Sequence, residues 1–410
     1  MKQISMGIAG LMLVGIMACS SSDDGIPFIP APGPVISGFS LPQTGQNTCY
    51  DMAGSPTVCG AGIGLGQDGD LAKGAEWPDA RFQDNSDDTV TDDLTGLMWA
   101  KNADTPTFAG CTGGTLEWQD ALAYVACLNQ NNYLTYNDWR LPNRNELQTL
   151  ISYGEPLPLE WLDNYFSSNW ATTTYWTSSN YYFNKRAAWA VIFESGIIDP
   201  SWKYNTHRIW PVRDGGQGIA RPMRTGQSLC YDPSGDIGAI DEIPCAGTGQ
   251  DGELQKGVAW PNPRFEENSD DTITDELTNL IWAKDATVPA YGSGPGACAG
   301  GEQNWEDALS YVSCLNENSY LGHDDWRLPN IVEISSLVQL AIIDNTDWLS
   351  QQGFVLPQGH FNNYYHFWSS TTSLSDTTKA MVLNSPDGLV TNHEKSATTR
   401  MYIWPVRGGR

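Results

Sequence analysis

The chain has 410 residues, 48 of them acidic and 22 Lys or Arg, for a formal net charge of −26. A surface of that sign repels nucleic acid and sulfated polysaccharide, because binding to either is driven by cations that neutralise phosphate or sulfate. It is compatible with solubility, with cations and with neutral glycans or proteins as ligands, and the 17 tryptophans read mainly as core, since large aromatics bury well.

The first element is an export signal. Lys2 supplies a positive start, and residues 4–17 are almost wholly apolar and uncharged. The run is too short to span a bilayer, which takes about 20 apolar residues. It ends in Ile16-Met17-Ala18-Cys19, which resembles the bacterial lipobox. That resemblance implies cleavage before Cys19 and acylation of its thiol and amine; the alternative is an ordinary signal peptide cut nearby. Residues 1–18 are then the leader, and residues 19–43, rich in Ser, Pro and Gly, are a lipidated tether. Each CH₂ of a buried acyl chain adds about 0.8 kcal/mol of membrane affinity. Ser20 and Ser21 lack the Asp that retains lipoproteins at the inner membrane in some bacteria, so the expected place is the outer membrane. With Cys19 assigned, eight of nine cysteines remain, an even number in an oxidising compartment.

The rest of the chain is a duplication. Gly66-Gln67-Asp68-Gly69 recurs as Gly249-Gln250-Asp251-Gly252, and Trp77, Pro78, Arg81 and Phe82 recur as Trp260, Pro261, Arg264 and Phe265. Residues 85–101 recur nearly unchanged at 268–284, and Asp138-Trp139-Arg140-Leu141-Pro142-Asn143 recurs as Asp325-Trp326-Arg327-Leu328-Pro329-Asn330. Each unit closes on Trp-Pro-Val-Arg, at 210–213 and 404–407. The expected domains are 44–213 and 225–410, with a glycine-bearing linker at 214–224. Each unit holds four cysteines, the last two equally spaced in both. Local pairing follows: Cys49–Cys59, Cys111–Cys127, Cys230–Cys245 and Cys298–Cys314, with pairing across the units as the alternative. Loops of that size contribute roughly 3 kcal/mol each in the chain-entropy view.

Within one unit, β-branched alternation predicts strand and turn over 89–99. Residues 115–129 read as a helix, with Trp118, Ala121, Leu122, Val125 and Leu128 forming one apolar stripe. Asn143 and Glu146 make a capping box for a second helix, repeated by Asn330 and Glu333. Short strands follow at 175–178, 188–193 and 208–212. The order predicts an α+β fold, with two helices on a small antiparallel sheet in each disulfide-bonded unit.

These motifs resemble the family known as the Lcl C-terminal domain. Its parts occur twice: at 88–99, 118–122, 138–147, 175–179 and 212–213, and again at 271–282, 305–309, 325–334, 367–371 and 406–407. The departures are small: Asp88 and Asp271 stand where the family often has Gly, Thr177 replaces a Ser and Ile334 a Leu. The resemblance implies two tandem C-type-lectin-like domains, in which first and last strands meet and loops on one side bind ligands. The founding member looks like an oligomeric adhesin for sulfated glycans, which makes a homo-oligomer an expectation here. Its ligand does not transfer to so acidic a chain, and the calcium-dependent sugar motifs of animal C-type lectins are missing, Glu155-Pro156 being followed by Leu157.

Three groups are candidates for chemistry. Asp84, Asp87, Asp88 and Asp92, with Asp270, Asp271 and Asp275 in the second unit, have the oxygen ligands calcium takes, against a plain turn in which Asp and Asn bond their own backbone. Asp138, Trp139 and Arg140, with Asp325, Trp326 and Arg327, read as a structural ion-pair motif, the Arg pairing with the second-helix Glu; contact of Arg140 and Arg327 with an anionic ligand is the alternative. The segments after the motif share little sequence, and loops on a rigid scaffold carry recognition surfaces. Their aromatics, Trp161, Tyr165, Trp170, Tyr181 and Tyr182 in the first unit and Trp348, Tyr364 and Tyr365 in the second, are the candidate ligand contacts; the alternative is a loop packed down on its own rings. Five histidines, one of them in the first unit, give no duplicated catalytic site. Formylglycine-generating enzymes share the lectin-like fold but need a free or labile cysteine, so the expectation is a binding protein for a glycan or protein, not an enzyme.

Overall fold

The computed structural model describes residues 39–154, 158–168, 174–236, 241–358 and 365–409, with side chains except at 158–160. The leader, Cys19, Trp170 and Tyr364 lie outside the described residues. The first repeat opens with a hairpin of β1 (Cys49–Tyr50) and β2 (Pro56–Thr57), closed by the Cys49–Cys59 bond, and one helical turn, α1 (Asp68–Leu71). Strands β3 (Phe82–Asp84), β4 (Thr89–Asp92) and β5 (Leu97–Ala100) lead to helices α2 (Trp118–Gln130), α3 (Arg144–Gln148) and α4 (Pro158–Asp163). Strands β6 (Thr174–Asn180), β7 (Ala187–Ile192), β8 (Ile197–Trp202) and β9 (Val212–Asp214) end the repeat. The second repeat runs in the same order: β10 (Cys230–Tyr231), β11 (Glu242–Ile243), α5 (Asp251–Leu254), β12 (Phe265–Glu267), β13 (Thr272–Asp275), β14 (Leu280–Ala283), α6 (Trp305–Glu317), α7 (Ile331–Ser335), α8 (Asn345–Gln351), β15 (His366–Thr372), β16 (Lys379–Asn384), β17 (Val390–Glu394) and β18 (Val406–Gly408). The chain is α+β, with small antiparallel sheets, few helices and the four local disulfides.

Local chemistry sets these elements. The β4–β5 turn places Gly96 at φ 74, where a Cβ would meet the Gly216 carbonyl oxygen at 2.6 Å. Asn279, a residue that tolerates the left-handed region, takes that place in the second repeat at φ 57. Helix α2 buries Trp118, Ala121, Tyr124, Val125 and Leu128, while Leu122 of the expected stripe is half-buried; the helix begins at Trp118, three residues later than its periodicity suggests. Both capping boxes form, Asn143 with Glu146 and Asn330 with Glu333. The segment expected as a strand at 208–212 bridges Tyr175 at Arg208, and its regular part begins only at Val212.

The last strand of each repeat returns beside the first sheet. The order is β3-β4-β5-β9, with Trp99 opposite Val212, and β12-β13-β14-β18, with Trp282 opposite Val406. Strands β6–β8 and β15–β17 join at the pair Ile198–Val390 into one six-stranded sheet that crosses the repeats. Beneath it one apolar cluster draws on both repeats, including Trp99, Tyr175 and Trp210 with Trp282, Phe367 and Trp404. Burying a large apolar side chain contributes roughly 1.5–3 kcal/mol, so the shared cluster couples the halves strongly. The described residues accordingly form a single compact unit.

The N-terminal segment of each repeat also reaches across. Thr371 Oγ1 donates to Asp68 at 2.6 Å, and Gln46 exchanges two hydrogen bonds with the Thr372 backbone. Reciprocally, Ser179 Oγ donates to Asp251 at 2.6 Å, and Gln227 exchanges two with the Asn180 backbone. Residues 39–43, which by composition belong to the tether, are packed: Phe39 is buried with Met223, Val258 and Leu277. The expected linker is held as well, since Asp214 pairs with Arg140 and Lys256, and Ala220 is buried with its N–H on the Leu94 carbonyl.

Candidate functional site

The acidic segment 84–92 is the β3–β4 hairpin, and its carboxylates serve its own turn. Ser86 and Asp88 take positive φ, and the Asp88 carbonyl accepts the Lys101 N–H. Asp84 accepts the Ser86 N–H and, at 2.6 Å, the Lys101 ammonium, which holds its carboxyl below the usual range. Asp87 accepts from the Thr89 N–H and hydroxyl and from the Tyr136 hydroxyl. Asp92 is buried in a two-pronged pair with Arg81, at 2.9 Å for each bond. In the second repeat Asp270 accepts from Thr272 and faces His323 at 3.0 Å, Asp275 pairs with Arg264, and the Asp271 carbonyl accepts the Lys284 N–H. Among the described residues no group of three or more His, Cys, Asp or Glu converges as a metal site would require.

The aromatic candidates are built into a wall. The Trp161 ring centroid lies 5.2 Å from that of Trp77 and 5.3 Å from that of Phe82, and Tyr165 lies 5.0 Å from Phe82. Arg81, fixed by Asp92, sits 4.4 Å over the Trp77 ring. Trp348 repeats the arrangement on Trp260 and Phe265, each at 5.8 Å. Tyr181 packs on Trp189, Tyr182 on Tyr231, and Tyr365 is buried beside Tyr402. These rings are half-buried or buried, so what they offer a ligand is an edge of the wall and not a row of free rings.

One place brings the two candidate groups together. A cleft of about 280 Å³ lies between the β3–β4–β5 sheet and residues 163–167. Phe82, Tyr165 and Phe166 line it together with Asp84, Lys101, Asp163 and Asn164. Asp84 and Asp163 against Lys101 leave one negative charge in excess, which suits a neutral or cationic ligand. The second repeat lacks the ring: Phe354 packs on Trp404 as Phe166 does on Trp210, so Gly353 stands where Tyr165 does.

The Asp-Trp-Arg motif holds the scaffold. Arg140 grips Glu146 at 2.6 and 2.7 Å, and the same carboxylate accepts the Asn143 N–H of the helix cap. Arg327 and Glu333 do likewise. Trp139 donates to the Tyr133 carbonyl, Asp138 pairs with Arg213, and Asp325 pairs with Arg407. Motif reading passes over two further pairs. Asp68 and Asp251 are fully buried between the repeats, and burial pushes their carboxyls up to about 7 and about 6. Lys203 and Lys395 are buried over the rings of Trp118 and Trp305, and burial lowers both to about 7. The recurring Gly-Gln-Asp-Gly was the available signal for the first pair.

The family model described as the Lcl C-terminal domain matches residues 88–213 and again residues 271–407. No curated protein matches the chain.

Proposed function

The chain belongs to the Lcl C-terminal domain family, and from that premise we propose that it is a lipid-anchored protein of the bacterial envelope that recognises an external ligand. The anchor is Cys19, the membrane is the outer one, and the ligand is a neutral saccharide bound at the first-repeat cleft. One observation carries the ligand class: aromatic rings line one open cleft of about 280 Å³ together with carboxylate, ammonium and amide groups. The accessible ring edges take the apolar C–H groups of a sugar ring, and the polar groups take its hydroxyls; a few placed polar groups beside apolar ones are the common form of a small-ligand site. The lectin-like reading of each repeat is supported by the closing strand returning beside the first sheet. Recognition is favoured over turnover because all eight cysteines of the repeats are paired, which leaves none of them for cysteine chemistry. A protein partner is the second reading, favoured by Phe183 and Ile343, both 58% exposed around one hollow between the repeats.

The test is a glycan array probed with the full chain in a sugar-free detergent, with calcium and with chelator. Binding to neutral glycans that falls about tenfold in Tyr165→Ala supports the cleft, a loss of about 1.4 kcal/mol. Binding indifferent to Tyr165, or silence from folded protein, overturns it. Collapse on chelation would return the acidic hairpins to the site.

A further inference from the structure

The end of β8 carries a second feature that the fold does not require. Trp202 and Tyr204 are 39% and 49% exposed, and their rings lie 10° from parallel with centroids 5.9 Å apart. Arg186 extends the stack, its guanidinium 5.2 Å from the Trp202 ring, and its Nε donates to the Gly235 carbonyl of the other repeat. The backbone beneath is fixed. Ala187 pairs with Trp202, the Lys203 N–H donates to Arg186, and the Asn205 N–H donates to Trp202. The buried Lys203 ammonium pins the strand end to the Asp232 carbonyl.

The duplication supplies an internal control. Lys395 occupies the place of Lys203, its N–H donating to Thr378 as that of Lys203 does to Arg186, and it lies over Trp305 as Lys203 lies over Trp118. The strand end is therefore the same, yet Thr378, Glu394 and Ser396 stand where the first repeat has Arg186, Trp202 and Tyr204. The fold is built without the aromatic stack, so packing does not explain it. The residues next to it in the chain are polar, Asn205 and the exposed Thr206 after Tyr204 and Asn184 and Lys185 before Arg186, with the exposed Phe183 one residue further back. A protein interface buries an apolar core within its polar rim, and two rings alone do not make such a core. Two held rings, a guanidinium and a polar surround fit the apolar face and hydroxyls of sugar units.

We propose that Arg186, Trp202 and Tyr204 form a saccharide-stacking site on the first repeat, separate from the cleft. The proposal rests on the recognition reading for its ligand class alone. Among the described tryptophans Trp202 is the most exposed, and the part of the acrylamide quenching that disappears in Trp202→Phe is its own. The full chain in a sugar-free detergent is titrated with neutral oligosaccharides: hexamers of glucose, mannose and N-acetylglucosamine. At least one is expected to protect Trp202 from quenching. Binding measured by calorimetry is expected to weaken at least tenfold in the double variant Trp202→Ala and Tyr204→Ala, and to persist in Trp202→Phe. Both side chains are exposed, so unchanged circular dichroism is expected to show an intact fold. Binding lost in the double variant but kept in Tyr165→Ala supports this site and overturns the cleft. Binding lost in Tyr165→Ala alone overturns this site and keeps the cleft. Loss in both variants supports both sites, and no binding by any of the three sugars overturns both.

Discussion

Asp68 shows how far a single residue's role can lie from its sequence neighbourhood. Its carboxylate accepts from Thr44 at 2.7 Å and from Thr371, 303 residues further along, at 2.6 Å. Burial pushes its carboxyl up to about 7 in the folded chain, against about 3.9 in an unfolded one. The folded state therefore holds the proton more tightly. The stability this contributes is complete below about pH 4 and is lost as pH rises through about 7. Asn imitates the neutral acid at every pH. Asp68→Asn is expected to gain in melting temperature relative to the natural chain between pH 5 and pH 8, at about 1.4 kcal/mol for each unit by which the carboxyl is raised. Thermal unfolding at three pH values checks this, and a difference that stays flat across the window would sink the buried-acid reading. Asp251→Asn should behave alike, with its difference growing from about pH 4 and levelling off above about 6. Short-range residue chemistry was legible: the cysteine pairs and the Asn143–Glu146 cap lie within one turn or loop. The cleft was not, because Asp84 and Tyr165 meet only through the fold.

At the level of elements, the legible ones are those whose signal is periodic and local. Helix α2 declares itself by its stripe and the β4–β5 hairpin by its alternation. Strand β8 does not, because Pro200 interrupts its run and proline argues against a central strand. The structure accommodates it opposite Trp189 on β7, while the pairing with β17 is at Ile198. The β1–β2 hairpin is the least legible element. Its disulfide follows from spacing, but its seat on the other repeat does not: Met52 packs in the α6 cluster, and Thr377 Oγ1 donates to the Gly54 carbonyl. The Cys49–Cys59 bond thus stiffens a clasp rather than a core. Replacing both cysteines by Ser is expected to speed amide exchange across 49–57 while the six-stranded sheet keeps its protection. Replacing Cys111 and Cys127, which tie α2 down, should cost roughly 3 kcal/mol of global stability. Hydrogen exchange by mass spectrometry separates the two, and global loosening from the first pair would contradict the clasp.

The whole molecule departs most from what a duplicated sequence suggests. Internal similarity predicts two units joined by a linker, and similarity is blind to which copy a segment packs against. The apolar cluster takes Trp99 and Trp210 from one repeat and Trp282 and Trp404 from the other, and the sheet runs through Ile198 and Val390. The N-terminal segments cross over in both directions, and Arg144, fully buried over Trp189, donates to the Gly388 carbonyl of the opposite repeat. Separate domains of unequal sequence would melt separately. Halves that share a core cannot, because opening one exposes apolar surface and unpaired polar groups of the other. Calorimetry of the full chain is therefore expected to give one transition, with calorimetric and van't Hoff enthalpies in agreement. A cavity in the second repeat should move that transition as a whole: Trp282→Ala removes a buried ring at a cost of about 3–5 kcal/mol. Two resolved transitions, or a variant that lowers one and leaves the other in place, would mean that the seam is a contact between finished domains. A single transition that shifts intact would mean that neither repeat is complete without its twin, and that the first-repeat cleft and stacking site are held in place by both.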